Sequence, residues 1–377
     1  MSELRGRDIV CFSNDWDGDP LSKTHLMKLL ARDNRVLWVS SIGNRAPRAN
    51  GRDLRRIADK LRQAAQGLRQ RAPNIHVLNP LAIPAYRGPA LHANRALLAA
   101  QVRLAMARLR FKRPVTWAFL PAAAVVAGSL GEERVVYHVV DEFGAFTGAG
   151  PAIAALERQL LDRADLVIAS SERLRDAKAR HNPRTVLVRH GVDHRHFARA
   201  LDSALPEAPE LARLPRPRVG FMGLLADWVD LKLVRAVAQA LPHASVVLVG
   251  RVDCDVSPLL GLANVYLVGR RPYAELPAWC KGFDVALLPF KINELTLAAN
   301  PLKVREYLAA GLPVVATPLP EVAALVQCRI ALGAEFVRQV EKALEDQPGP
   351  RPERSRAVEG ESWEHKADEV RKAFALI

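Results

Sequence analysis

Lys303 and Glu306 lie three residues apart in Asn300-Pro301-Leu302-Lys303-Val304-Arg305-Glu306-Tyr307-Leu308-Ala309-Ala310-Gly311, a stretch that reads as one short helix. That spacing puts ammonium and carboxylate on one helical face. Asn300 suits the N-cap, Pro301 the first helical position and Gly311 a left-handed stop. A cation in the first turn adds to unpaired N–H groups and the helix dipole, all of which favour an anion. A carboxylate one turn deeper accepts hydrogen bonds from a pair of hydroxyls. A nucleoside diphosphate sugar presents both groups: a diphosphate for the mouth and a ribose diol for the carboxylate. The plain alternative is a solvated surface pair worth roughly 0.2–0.5 kcal/mol.

A second group of candidates follows the apolar run Arg134–Val140, where Asp141-Glu142-Phe143 places two carboxylates at a strand's carboxyl end. Asp141 and Glu142 are therefore candidate catalytic bases, with Phe143 an apolar neighbour able to raise a carboxyl pKa. Helix capping or plain solvation explains them equally well. His138 falls within the strand and reads as structural. Gly223 ends the run Arg218–Gly223 and lets the backbone approach a ligand closely. Arg251, Arg271 and Tyr273 also lie just past strand ends, where arginines meet phosphate and a loop backbone meets a base edge. Thr296, with Asn293 and Glu294, offers hydrogen bonds to sugar hydroxyls from the loop Lys291–Ala299. Asp15-Trp16-Asp17 has the form of a metal-binding carboxylate pair, but turn chemistry accounts for it and no metal is expected. A calcium loop fails there, because Leu26 stands where a glutamate is required.

The elements that position these residues alternate throughout. Strand-like runs at Asp8–Ser13, Arg35–Ser40, Asn74–Asn79, Val115–Leu120, Arg134–Val140, Leu166–Ser170 and Thr185–His190 are interleaved with helices such as Leu91–Leu109 and Ala152–Arg163. Near-continuous Val/Ile/Leu strands separated by helices predict a parallel sheet covered on both faces. The alternation restarts at Arg218–Gly223 and continues through Ser245–Gly250, Asn264–Gly269, Asp284–Phe290, Pro313–Thr317 and Arg329–Leu332. The expected organisation is an N-terminal Rossmann-like acceptor domain over 1–200 and a proline-rich linker over 201–217. A Rossmann-like donor domain over 218–348 and a linker with a C-terminal helix over 349–377 complete it. Ligands of such sheets bind beyond the carboxyl ends of the strands, and two tandem domains predict a cleft.

The bulk numbers bound the partners. Hydrophobic residues make up 49% of the 377, so disorder is excluded, and no apolar run reaches the ~18–20 residues of a spanning helix. The first residues lack the apolar core of a signal peptide, and Cys11, Cys254, Cys280 and Cys328 show no metal or redox spacing. A cytoplasmic location is the expectation. Net charge is +14, from 54 Lys+Arg against 40 Asp+Glu. The cations from Arg45 to Arg71, with Leu54, Ile57, Leu61 and Leu68 at helical spacing, read as a basic amphipathic helix. It suits either an anionic membrane surface at the inner face or ordinary packing. Nucleic acid is not expected, because no aromatic residues interleave with the cations.

"GLLADWVD" (Gly223 to Asp230), "NVYLVGRRPY" (Asn264 to Tyr273), "FDVALLPF" (Phe283 to Phe290), the Asn300–Thr317 segment and "YHVVDEF" (Tyr137 to Phe143) together resemble the GT-B nucleotide-sugar glycosyltransferases. The subgroup is that of bacterial surface polysaccharides, of teichuronic-acid and xanthan type. The resemblance implies two Rossmann-like domains facing a cleft, with the C-terminal helix packing back on the first domain. It implies a nucleotide-sugar donor, with uridine the favoured base, and a glycan or lipid-linked acceptor. It also implies that Glu306 binds the ribose, Lys303 the diphosphate and the Arg270–Tyr273 loop the base, and that Asp141 is the base catalyst. Retaining members carry a second glutamate where this chain has Ala298, and Glu294 is out of register. That departure points to an inverting single displacement. A UDP-sugar 2-epimerase on the same fold is the enzymatic alternative, and a non-catalytic binder of anionic glycan or membrane the other.

Overall fold

The computed structural model describes residues 3–41, 62, 64, 66–81 and 89–377. The chain divides into two compact units, Met1–Arg189 with Lys366–Ile377, and His190–His365. In the first unit the strands are β1 (Asp8–Phe12), β2 (Arg35–Val39), β3 (Arg69–Ala72), β4 (Ile75–Leu78), β5 (Val115–Ala118), β6 (Arg134–Val139), β7 (Leu166–Ala169) and β8 (Thr185–Leu187). Their order is β3-β4-β2-β1-β5-β6-β7-β8, and every pairing is parallel except β3–β4. The chain starts in the middle, builds outward to one edge, then returns to the other side of β1. The carboxyl ends of β1 and β5 therefore flank the point where strand order reverses, the position at which doubly wound sheets bind ligands.

The second unit repeats the plan with β9 (Arg218–Met222), β10 (Ser245–Val249), β11 (Val265–Gly269), β12 (Val285–Leu288), β13 (Val314–Ala316) and β14 (Cys328–Ile330). Their order is β11-β10-β9-β12-β13-β14, all parallel, so the reversal lies between β9 and β12. Alternate strand residues feed two cores. Met222, Val247, Val249, Ala286 and Leu288 pack with Val304, Tyr307 and Leu308 of the Leu302–Ala309 helix on one face. Phe221, Val246, Leu248, Val285 and Leu287 pack with Val234, Val237, Phe336 and Val340 on the other. The near-continuous apolar strands of the sequence follow from this two-sided burial.

Several expectations shift. Arg69 and Arg71, the end of the expected basic helix, lie on the edge strand β3, which pairs antiparallel with β4. Exposed cations are what an edge strand tolerates. Apart from these two and Arg62, the cations of that region lie outside the described residues. The expected linker 201–217 is packed into the second unit: Ala208 and Leu211 are buried in its core. Arg216 and Arg218 pair with Glu207 at 3.1 and 2.8 Å, and Arg216 also pairs with Asp284. The expected linker 349–353 is likewise pinned, Gly349 N–H donating to Asp284 and Arg351 N–H to Gly311 (both 2.8 Å). The final helix, Trp363–Phe374, starts in the second unit and belongs to the first from Lys366 onward. There Arg371 pairs with Asp33 at 3.1 Å, and Arg134 donates to the Ile377 carbonyl at 3.0 Å. Among the described residues no helix is long and apolar enough to cross a membrane.

At the carboxyl ends of β9 and β10 the backbones almost touch. A Cβ placed on Gly250 would stand 1.7 Å from the Gly223 carbonyl oxygen, and the φ of Gly250 is +157°. The two turns are tied by Gly223 N–H to Val249 and Leu225 N–H to Arg251, and the β10 turn is tied to the end of β11 by Gly250 N–H to Gly269, each 2.9 Å. Backbone cannot move aside as a flexible side chain can. Gly250→Ala is therefore expected to lose about 3 kcal/mol or more of stability in urea unfolding. Gly360→Ala, whose Cβ meets nothing within 4 Å, should stay within about 0.5 kcal/mol.

Candidate functional site

In the second unit the Leu302–Ala309 helix begins beside the β9/β12 reversal. Its N-cap is Pro301, with no side-chain cap. Asn300, expected at that position, is buried, and its Oδ1 accepts from Arg305 at 2.6 Å. Its carbonyl is bonded to His190 Nδ1 at 2.8 Å. The reason is Arg305: this guanidinium is 2% exposed and takes Asn300 and Glu361 as its partners. The first-turn N–H groups consequently have no side-chain acceptor at the cap. At the other end Gly311, φ +81°, closes the helix as expected, with Gly311 N–H to Leu308 and Leu312 N–H to Tyr307.

Lys303 Nζ bonds Glu306 Oε2 at 2.6 Å. Their side chains are 27% and 9% exposed, which separates this pair from a solvated surface contact. A Cβ on Gly223 would lie 3.8 Å from Lys303 Cε, so the glycine leaves room along which the lysine runs. Tyr307 fixes the strand end against the helix, its hydroxyl oxygen accepting from Met222 N–H at 2.6 Å. Burial pushes the Tyr273 phenol well above its usual range, and the charges of Glu306 and Asp193 push the same way. Gly223, Lys303, Glu306 and Tyr273 thus form one neighbourhood. Tyr273 is held there by His196, which stacks on it at 4.4 Å and reaches its carbonyl through Nε2 at 2.9 Å.

The remaining predicted residues are differently employed. Arg251 is largely exposed, 3.6 Å from Asp253. Arg271 pairs with Glu210 at 3.0 Å and lies over the Trp279 ring. Thr296 is buried: its hydroxyl donates to the Lys291 carbonyl at 2.5 Å and accepts from Asn293 N–H at 3.1 Å. With Asn293 it forms a capping box that starts the Glu294–Ala298 helix, so its hydrogen-bonding capacity shapes the loop.

In the first unit the two adjacent carboxylates part company. Glu142 bonds Lys178 Nζ at 2.9 and 3.0 Å, Lys178 bonds Glu157 at 3.0 Å, and Glu157 accepts from the Tyr137 hydroxyl at 2.7 Å. Glu142 is thereby an anchor, which leaves Asp141, of the two candidate carboxylates, outside the ion-paired chain. Asp141 is half-buried, and burial raises its pKa to about 6 against the opposing charge of Lys23. Lys23 lies in the first turn of the Ser22–Leu30 helix and is 5% exposed. Its spacing carries no motif; the only sequence signal is a cation where the helix dipole disfavours one. His138 is buried against Phe119, ring centroids 4.9 Å apart, as a structural residue. Asp17 pairs with Arg71 at 3.2 Å, and Trp16 meets Trp38 edge-on. Among the described residues no group of three or more His, Cys, Asp or Glu is gathered around a metal-sized site.

Residues 216–346 match the family model described as glycosyl transferases group 1. A putative teichuronic acid biosynthesis glycosyltransferase of Bacillus subtilis is 27% identical over 338 residues, covering 83% of this chain and 81% of that one. Among solved structures, sucrose-phosphate synthase from Thermosynechococcus elongatus superposes with a TM-score of 0.68 at 16% identity, covering 98% of this chain and 100% of its own. The E. coli trehalose-6-phosphate structure bound with UDP-2-fluoro glucose gives 0.69 at 14%, with 98% and 99% covered. Anabaena HepE in complex with UDP-glucose gives 0.61 at 18%, with 98% and 97% covered. At these identities the structural likeness concerns the fold.

Removing the cation of the Glu142–Lys178–Glu157 chain would leave two carboxylates facing each other with little water. Lys178→Met should cost about 3 kcal/mol or more in urea unfolding at pH 7.

Proposed function

We propose that this chain, a group 1 glycosyltransferase with the GT-B fold, moves a sugar from a UDP-linked donor to a hydroxyl of a glycan or lipid-linked acceptor with inversion. The observation that carries the donor assignment is the buried Glu306 carboxylate, one turn below Lys303 on an uncapped helix beside the β9/β12 reversal. Glu306 accepts both ribose hydroxyls. Lys303, released from Glu306 by those new donors, turns to the diphosphate together with the first-turn N–H groups. Gly223 keeps the approach clear, and Tyr273 stands on the uridine side. The charge that develops on the departing UDP is met by these groups.

Single displacement needs one base. The acceptor oxygen attacks the anomeric carbon, the bond to UDP breaks, and the acceptor proton passes to the Asp141 carboxylate. Ala298, in place of a second glutamate, supports inversion. The half-buried Asp141, unlike Glu142, is uncommitted to a salt bridge within 4 Å among the described residues. The UDP-2-fluoro glucose and UDP-glucose bound in the E. coli and Anabaena structures favour uridine.

Glu306→Ala and Lys303→Ala should each weaken UDP binding roughly 10- to 100-fold by calorimetry, the loss of one charged hydrogen-bonding partner. Unchanged affinity would remove the donor assignment. Asp141→Asn should bind UDP as the parent does while transfer falls by at least about 100-fold. In the parent, a base must be ionised, so turnover should rise with pH through an acid limb near 6. Incubating UDP-glucose without acceptor should yield at most slow hydrolysis. A C2-epimerised product would establish the epimerase instead.

A further inference from the structure

Lys23 is a cation placed at the first unit's strand-order reversal, and its situation is costly. It stands at the second position of the Ser22–Leu30 helix, where the dipole opposes it, and it is 5% exposed. No carboxylate among the described residues lies within salt-bridge distance of it. Its ammonium donates to Asn14 Oδ1 at 3.1 Å and lies 6.0 Å from the Phe119 ring centroid. Asn14 follows β1 and Phe119 follows β5, so these partners seat the ammonium between the two strand ends that flank the reversal. A buried ammonium given one neutral acceptor and a ring face does not add stability on those contacts.

The geometry points to Lys23 as a positioning residue whose charge keeps the Asp141 carboxylate ionised and ready to take the acceptor proton. The role rests on Asp141 being the base. Asp141 follows β6, the strand paired with β5, and the Phe119 ring after β5 meets both the Lys23 ammonium and His138 of β6, so lysine and carboxylate stand at neighbouring strand ends. The lysine charge there opposes the effect of burial at Asp141, and the carboxylate charge opposes it at Lys23. The other charged or titratable groups around them are accounted for. Cys11 of β1 is a buried thiol whose pKa burial raises, so it stays neutral. Tyr137 of β6 is kept protonated by burial and by its bond to Glu157. Glu142, from the loop after β6, is neutralised by Lys178 of the Glu172–Ala179 helix, which also holds Glu157 of the Pro151–Arg163 helix. His138 of β6 is packed on Phe119. Among the described residues, Lys23 is thus the cation left to act on Asp141. Separation by more than a salt bridge leaves the carboxylate oxygens open to a proton donor, whereas a direct pair would occupy them as Lys178 occupies Glu142.

Unfolding stability from pH 4 to 8 tests this without any substrate, in the parent, Asp141→Asn, Lys23→Met and the double variant. Asp141 has its pKa raised from 3.8 to about 6, so its contribution is fully present below about pH 4 and is lost as pH rises through 6. The parent should therefore lose stability relative to Asp141→Asn across a window from about pH 4 to an upper end near pH 6. On the Lys23→Met background the same loss should continue to an upper end at least about one pH unit higher. A merely structural lysine would lower both members of each pair alike, and an unmoved upper end would overturn the proposal. If Lys23→Met does not fold, Lys23→Gln takes its place, and Lys23→Arg should keep the parental upper end. Turnover surviving in Asp141→Asn would overturn the base assignment and with it the proposed role of Lys23. A dead Asp141→Asn with an unmoved upper end would overturn the role of Lys23 alone.

Discussion

The Gly223 carbonyl occupies the space where any side chain at residue 250 would begin, 1.7 Å from the ideal Cβ. The candidate site of the second unit depends on that approach. With the β9 and β10 turns laced together by Gly223 N–H to Val249 and Leu225 N–H to Arg251, the end of β9 becomes a fixed edge. Tyr307 then ties the Leu302–Ala309 helix to this edge through Met222, at full burial where a hydroxyl must find a partner. Lys303 and Glu306 are carried on the same helix, so their height above the sheet is set by a tyrosine and two glycines that touch no ligand.

The two units solve the problem of buried charge in different ways. In the second, Arg305 is satisfied in place by Asn300 and Glu361, which frees the rest of the helix mouth from structural duty. In the first, a chain of three charges and a phenol, Glu142–Lys178–Glu157–Tyr137, is closed on itself. Removing a charge from a closed chain leaves an uncompensated ion, so such chains resist change. Asp141 stands beside that chain without belonging to it. On the proposed mechanism the carboxylate that takes the proton is not also the neutralised strut, and adjacency in sequence separates the two tasks by a single residue.

Most of the strand plan is legible in the sequence because both sheets are covered on two faces, and two-sided burial demands unbroken Val/Ile/Leu runs. β3 is not legible: Arg69-Gln70-Arg71-Ala72 has no apolar alternation, since an edge strand with exposed side chains needs none. The proline-rich stretch before Arg218 reads as a linker because periodicity carries no record of salt bridges such as Glu207 with Arg216 and Arg218. At the site, the helix, its Gly311 stop and the Lys303–Glu306 spacing are visible in one dimension. The diversion of Asn300 to Arg305 is not, because a good capping residue and a good partner for a buried guanidinium are the same residue type.

Burial decides what a charged residue means. Lys303 and Glu306 have the spacing of countless surface pairs, yet a carboxylate 9% exposed pays desolvation that an i, i+3 contact alone does not return. Lys23 has no distinguishing spacing at all, and its significance is that it is buried at a strand-order reversal with, among the described residues, a neutral hydrogen-bond partner. Charges kept where they cost stability are therefore better markers of chemistry in this chain than its surplus of arginine. That surplus is exposed in cases such as Arg251, or absorbed in pairs such as Arg216 with Glu207 and Arg371 with Asp33.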